Sequence, residues 1–330
     1  MLDIEKVKIA YDNASFFKHF DVNYSIELRQ SQNINNETTQ KSLQSIDNIA
    51  KFWSKDYTYD TPIVIVSTDE NGYDFLLDEL KKLNFSDAMP NKKRFEHNSR
   101  GIFGSGGYSI IEDKVVLLYW QVINSKVPFE HTGDLKNAPH LFTHSIQTVL
   151  AAQKFNNPGQ SSFLTDFPGW YVEGQADFAA LVSMSNTFEE YLNHRENYFK
   201  YAFVPQAPGG EAPDGITKGS AKINLKNKSI EEWQNSLKHS PLKFAGIPLS
   251  DEYYTGLLAY EEMMYHLSHE EMMLLAERFV KGESFADVFN YFIGKDLNSF
   301  YDNLGQELFE LAKTIHVSSW PSWKKEAVNG

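Results

Sequence analysis

Pro139-His140-Leu141-Phe142-Thr143-His144-Ser145-Ile146-Gln147 is the stretch on which the reading of this chain turns. Side chains at i and i+4 of an α-helix stand one above the other on a common face, so His140 and His144 are one turn apart and can grip a single metal ion from the same side. By itself the spacing is a weak signal. Any helix with two histidines four apart satisfies it, and a packed His144 beside a capping His140 gives the same pattern.

Downstream, Trp170-Tyr171-Val172-Glu173-Gly174-Gln175-Ala176-Asp177 supplies what the first segment lacks. Glu173, on a second predicted helix, can complete three protein ligands around one metal, and Asp177 follows one turn later. Together the two segments resemble the gluzincin group of zinc metallopeptidases, in which a first helix bears H-E-x-x-H and a second bears a glutamate ligand within W-x-x-E-G-x-A. The resemblance implies Zn2+ held by His140, His144 and Glu173. It further implies that Asp177 orients His140, as in thermolysin-like members. Physical chemistry supports such a partner, because losing the acceptor that holds a ligand imidazole's other N–H typically costs about 10- to 100-fold in metal affinity. Looser likeness extends over about residues 100 to 310. It includes Tyr253-Tyr254-Thr255-Gly256, with its Tyr-x-x-Gly helix start, and Gly282-Glu283-Ser284-Phe285 leading to Phe289. In related enzymes a tyrosine or histidine from this region stabilises an oxyanion. Tyr253 or Tyr254 would fill that place here, with core packing as the alternative role of the pair.

Leu141 stands where the gluzincin pattern has its catalytic glutamate. In an active member the zinc-bound water, its pKa lowered to about 7, gives its proton to that glutamate. General acid–base catalysis contributes about 10^2- to 10^4-fold in rate, and a leucine side chain has no group to supply it. The resemblance, with this departure, implies a zinc-binding, metallopeptidase-like protein with lost or strongly impaired peptidase activity, a pseudoenzyme retained for binding a peptide or protein. A second reading keeps an active zinc metallopeptidase with a base from elsewhere, Glu130 and Asp134 being nearest in a predicted loop before the first helix. A third has His140, His144 and Glu173 hydrogen-bonding one another without metal.

Composition sets the outer bounds. With 330 residues and 42% hydrophobic content, the chain can bury a sizeable core, and 24 Phe and 17 Tyr make that core aromatic-rich. A net charge of −13 without clustered Lys and Arg argues against nucleic acid as a partner. The absence of cysteine excludes disulfide scaffolds, thiolate metal sites and thiol nucleophiles, so any transition metal must be held by His, Asp or Glu. No apolar run of about 18 residues predicts a transmembrane segment. Met1-Leu2-Asp3-Ile4-Glu5-Lys6 is charged where a secretory signal would be apolar. The sequence as written therefore reads as cytoplasmic, or as extracytoplasmic if a signal has been removed.

The periodicities predict an α+β fold, a small mixed sheet followed by a largely helical zincin-like domain with a C-terminal helical bundle. Residues 1–55 read as an N-terminal helical segment, 56–200 as the α+β part with the ligand helices, 201–229 as a Pro/Gly-rich loop and 230–320 as a helical subdomain. Thr61 to Ser67 is a β-branched run typical of a buried strand, and Tyr73 to Leu83 reads as the helix after it. Ser109 to Ile111 and Lys114 to Trp120 form a predicted strand pair. Gly104-Ser105-Gly106-Gly107 before them lacks the Gly-Lys-Ser/Thr continuation of a phosphate loop and reads as a turn or cleft rim. Ser229-Ile230-Glu231-Glu232 is a capping-box start, and Gly282 and Gly294 fall at predicted helix C-caps. His266 and His269 flank Ser268, where a helix junction capped by Ser268 accounts for the residues better than a second metal site.

Overall fold

The computed structural model describes residues 4–16, 22–32, 34, 36–85, 91–98, 103–123, 132–153, 167–202, 228–238 and 250–314. In chain order the elements are α1 (Ile4–Ala14), β1 (Ile26–Gln30), α2 (Asn36–Trp53), β2 (Ile63–Asp69), α3 (Tyr73–Lys82), α4 (Lys92–Asn98), β3 (Phe103–Ile111), β4 (Lys114–Ile123) and α5 (Thr132–Gln153). These are followed by α6 (Gly169–Met184), α7 (Phe188–Ala202), α8 (Ile230–Lys238), α9 (Ser250–His266), α10 (His269–Val280), α11 (Phe285–Ile293) and α12 (Leu297–Thr314). The α+β class expected from the sequence is the class observed. The described residues fall into two compact units, one of 22–149 and one of 4–16 with 150–314, the division passing through the continuous helix α5.

In the first unit the strands lie in the order β1-β2-β4-β3, with β2 parallel to β1 and β4, and β3 antiparallel to β4. Every residue of β2 is buried, as expected of an inner parallel strand covered on both faces. Successive side chains point to opposite faces. Val64, Val66, Leu118, Trp120 and Val122 accordingly share one face and form a core with Leu76 and Leu80 of α3 and Phe95 of α4. On the opposite face the polar Gln121 is satisfied internally. Ser42 of α2 donates to its Oε1 at 2.9 Å, and its amide donates to Ser67 Oγ at 2.8 Å.

Three expectations are corrected here. The stretch 1–55 is not purely helical, because Ile26–Gln30 is the strand β1, with Ile26 opposite Ile63. Five residues with alternating polar side chains at a sheet edge carry too short a period to be told from helix. Gly104-Ser105-Gly106-Gly107 is strand, not turn. Its glycines serve close approach: a Cβ at Gly107 would lie 2.1 Å from the Phe85 ring, and one at Gly106 would lie 2.2 Å from the Leu141 carbonyl oxygen. Helix α5 begins at Thr132, so Asp134 is helical and Pro139 is interior. The sequence reading favours a start at Pro139 because proline fits the first helical turn and in an interior deletes one backbone hydrogen bond.

The second unit is helical. Capping follows the sequence: Ser229 and Glu232 exchange side-chain and backbone hydrogen bonds before α8, Ser268 and Glu271 form a full capping box on α10, and Ser284 caps α11. Gly282 and Gly294 take positive φ, +103° and +69°, past the ends of α10 and α11. Helix α6 is buried around nearly its whole circumference. It meets α9 backbone to backbone, since a Cβ on Gly174 would stand 2.2 Å from the Gly256 carbonyl oxygen. The expected aromatic core is present: Trp170 contacts Phe285, Phe300 and Tyr301, and Tyr171 stacks on Phe167. Arg195 of α7 makes a two-pronged ion pair with Glu261 of α9, both bonds 2.7 Å and both partners buried. Among the described residues no helix is long and apolar enough to cross a membrane. Residues 203–227, which hold most of the predicted Pro/Gly loop, lie outside the described ones.

Candidate metal centre

Helix α5 is unusual in burying polar residues along its length. Thr143, Ser145 and Gln147 are all buried. The helix satisfies its own hydroxyls: Thr143, Ser145 and Thr148 donate to the carbonyls of Pro139, Leu141 and His144, four residues back in each case. Thr143 Oγ1 also accepts from the Trp53 indole of α2 at 3.2 Å.

His140 and His144 are held edge to face, ring centroids 4.6 Å apart and planes at 90°, with their Nε2 atoms 3.1 Å from each other. Two nitrogens bound to one tetrahedral metal at about 2.0–2.1 Å would be about 3.3–3.4 Å apart, so the observed spacing needs little adjustment. His144 Nδ1 contacts Gln147 Oε1 at 2.7 Å. Glu173 of α6 completes the group. His140, His144 and Glu173 each offer one ligand atom, and these atoms lie within 4.8 Å of one another, with His140 and Glu173 buried and His144 half-buried. The two imidazoles and one carboxylate predicted from sequence are thus brought together. Among the described residues they are the group of three His, Asp or Glu side chains that converges in this way.

The remaining predicted residues are placed as follows. Asp177, fully buried one turn after Glu173, accepts a hydrogen bond from the Tyr198 hydroxyl of α7. Tyr254 of α9 packs on the Tyr198 ring, centroids 5.0 Å apart. Burial, and secondarily the Asp177 charge, push the Tyr254 phenol well above its ordinary pKa, so it keeps its proton and remains a hydrogen-bond donor at neutral pH. Tyr253 is in the first turn of α9, and its side chain lies outside the described residues, as does Glu130. Leu141 is half-buried, its carbonyl against β3 at Gly106. Asp134 sits six residues before His140 on the same helix, about 9 Å of axial rise away.

His266 and His269 belong to the helix junction, as expected. His266 approaches Glu262 at 3.3 Å and Lys295 at 3.0 Å, and the His269 ring packs on Phe16. Two residues that contact predicted site residues escaped sequence reasoning. Gln147 carries a detectable signal, since i+3 from His144 is the same helix face. Tyr198 carries none, because its approach to Asp177 depends on how α7 packs. No protein-family model, curated protein or solved structure matches the chain.

Proposed function

We propose that this chain is a metal-binding protein of gluzincin type whose site holds zinc through His140, His144 and Glu173 and serves to bind a peptide or protein rather than to hydrolyse it. The observation that carries the proposal is the convergence of those ligand atoms within 4.8 Å, with the two Nε2 atoms turned toward each other. Donor chemistry favours zinc among common ions, since two imidazoles and one carboxylate are typical of zinc sites that keep a position open for another ligand. When bound, such an ion supplies a Lewis acid toward a carbonyl or carboxylate oxygen.

The side chains around the ligands suit binding. Leu141 presents an alkyl group where a hydrolase needs a proton acceptor. On this reading Tyr254, kept protonated, is the donor to a ligand oxygen and Asp177, which accepts from Tyr198, orients His140. Asp134, an alternative base, is six residues before His140 along α5.

Metal analysis of the gently purified protein tests the first half of the proposal, with near one equivalent of zinc expected and its loss in His140→Ala and Glu173→Ala. A specific observation favours one rival, because the 3.1 Å contact between the imidazoles is also a hydrogen bond that needs no metal. Wild-type protein without zinc, and unable to take it up, would establish that rival. Peptidase assays test the second half. Wild type should be inactive or at least about 10^2-fold slower than Leu141→Glu. A chelator-sensitive wild type as fast as the variant would overturn the binding role.

A further inference from the structure

We infer that the cavity between α1, α9 and α12 binds a small alkylammonium ion, with its alkyl chain against Val7, Leu258 and Leu311 and its ammonium group on Glu307. The inference is independent of the metal reading: the three helices belong to the second unit, and His140, His144 and Glu173 are not among the described residues that line the cavity. The cavity encloses about 230 Å3, and its walls are of two kinds. Val7, Leu258 and Leu311 supply alkyl surface, and Glu261, Glu262, Glu307 and Glu310 supply carboxylates. Three of the four carboxylates have a cationic partner within the protein. Glu261 is buried and bonded twice by Arg195, Glu262 holds Lys6 at 3.2 Å, and Glu310 holds Lys313 at 3.4 Å. Among the described residues no cation comes within ion-pair distance of Glu307, which is half-buried. Burial, and after it the Glu262 charge, raise the Glu307 pKa above the ordinary carboxylate value, and the attraction of Lys6 and Arg195 does not offset them.

Lys6 shows what such a carboxylate takes. Its ammonium donates to both oxygens of Glu262, at 3.2 and 3.3 Å, and lies over the Tyr265 ring, 5.2 Å from the centroid. Glu307 offers a second carboxylate to the same cavity. A divalent metal ion suits these walls less well. Ca2+ takes about 6–8 oxygens around one point. Among the described residues, the three ligand atoms that converge within 4.8 Å are those of His140, His144 and Glu173, not those of these glutamates. An alkylammonium ion needs one acceptor for its head and apolar surface for its methylenes, as a lysine side chain does. The cavity supplies both.

The test uses the full chain with labelled valine and leucine methyl groups, in wild type, Glu307→Gln and Glu283→Gln, with n-butylammonium as probe. Wild type should bind it saturably, with shifts at the methyl resonances of Val7, Leu258 and Leu311. Glu307→Gln should weaken binding about 10- to 100-fold, the value of a hydrogen bond to a charged acceptor. Glu283→Gln removes the same charge from the turn before α11 and should leave the affinity unchanged. 1-Butanol has the same alkyl chain without the charge and should bind at least about 10-fold more weakly than n-butylammonium. Absence of saturable binding to wild type would overturn the inference. So would equal affinity for 1-butanol, unchanged affinity in a folded Glu307→Gln, or Mg2+ taking the site in place of the amine. If Glu307→Gln does not fold, the ratio of the n-butylammonium and 1-butanol affinities in wild type decides, together with which methyl groups shift.

Discussion

Helices α5 and α6 each carry part of the group that could hold a metal ion, and their buried polar side chains are partnered in different ways. On helix α5 three hydroxyls are returned to carbonyls four residues back and Gln147 is set against His144. Helix α6 is apolar apart from a few groups, and two of these take partners from neighbours: Tyr198 of α7 reaches Asp177, and Tyr260 of α9 accepts from Gln175 at 2.8 Å. Their backbone contacts differ in the same sense. Gly106 opposes α5 from an edge strand that has another strand on one side alone, whereas Gly174 and Gly256 face each other from two packed helices. The position of Glu173 thus depends on the surrounding helices.

The largest expected effect strikes the neighbours of α6. Arg195 and Glu261 tie α7 to α9, the two helices that bring Tyr198 and Tyr254 toward Asp177. Arg195→Leu strands a buried Glu261 carboxylate, and the loss should be about 3–5 kcal/mol in chemical unfolding. Replacing both partners by apolar residues should restore much of it, since the pair's own attraction is largely offset by desolvation. A single variant as stable as wild type would show that α6 does not depend on this clamp.

Next comes the pair of glycine contacts. Gly174→Ala sets a methyl 2.2 Å from the Gly256 carbonyl oxygen, with backbone on both sides, and the two helices must separate. Overpacking of this kind costs about 1–3 kcal/mol, and Gly174→Ala belongs at or above the top of that range. Gly106→Ala meets the Leu141 carbonyl at the same 2.2 Å, but β3 is free to shift along its unpaired edge, so about 1 kcal/mol is expected. Thermal unfolding of the two variants side by side should rank them in that order. The reverse order would mean that the sheet, not the helix crossing, is the stiffer support.

The same contrast explains what was legible in the sequence. His140, His144 and Glu173 could be read as a candidate group because metal chemistry demands particular residue types, and helical spacing puts the two histidines on one face. The caps at Ser229 and Ser268 could be read because their partners are three residues away. Gly106 could not, since the carbonyl that demands a glycine belongs to Leu141, far along the chain and on another element. Tyr198 fails for the same reason. Strand β1 fails through brevity, its five residues being recognisable from the register with β2. What depends on neighbours in sequence is visible in sequence.

A further comparison comes from removing one hydroxyl from each helix's polar system. Tyr198→Phe deletes the donor to a buried carboxylate, and a hydrogen bond to a charged group contributes about 1.5–3 kcal/mol. Thr143→Val deletes a neutral hydroxyl whose carbonyl partner lies in its own helix and whose indole partner is Trp53, so about 1 kcal/mol is expected. The informative measurement is zinc affinity rather than stability. If Asp177 orients His140, Tyr198→Phe should alter affinity because the carboxylate loses its anchor, while Thr143→Val, on the face of α5 turned toward Trp53, should leave it unchanged. Equal affinity in both variants would place Asp177 outside the site's working parts. The asymmetry between the helices would then be one of folding alone, with α6 contributing a single ligand and α5 the means of holding its own.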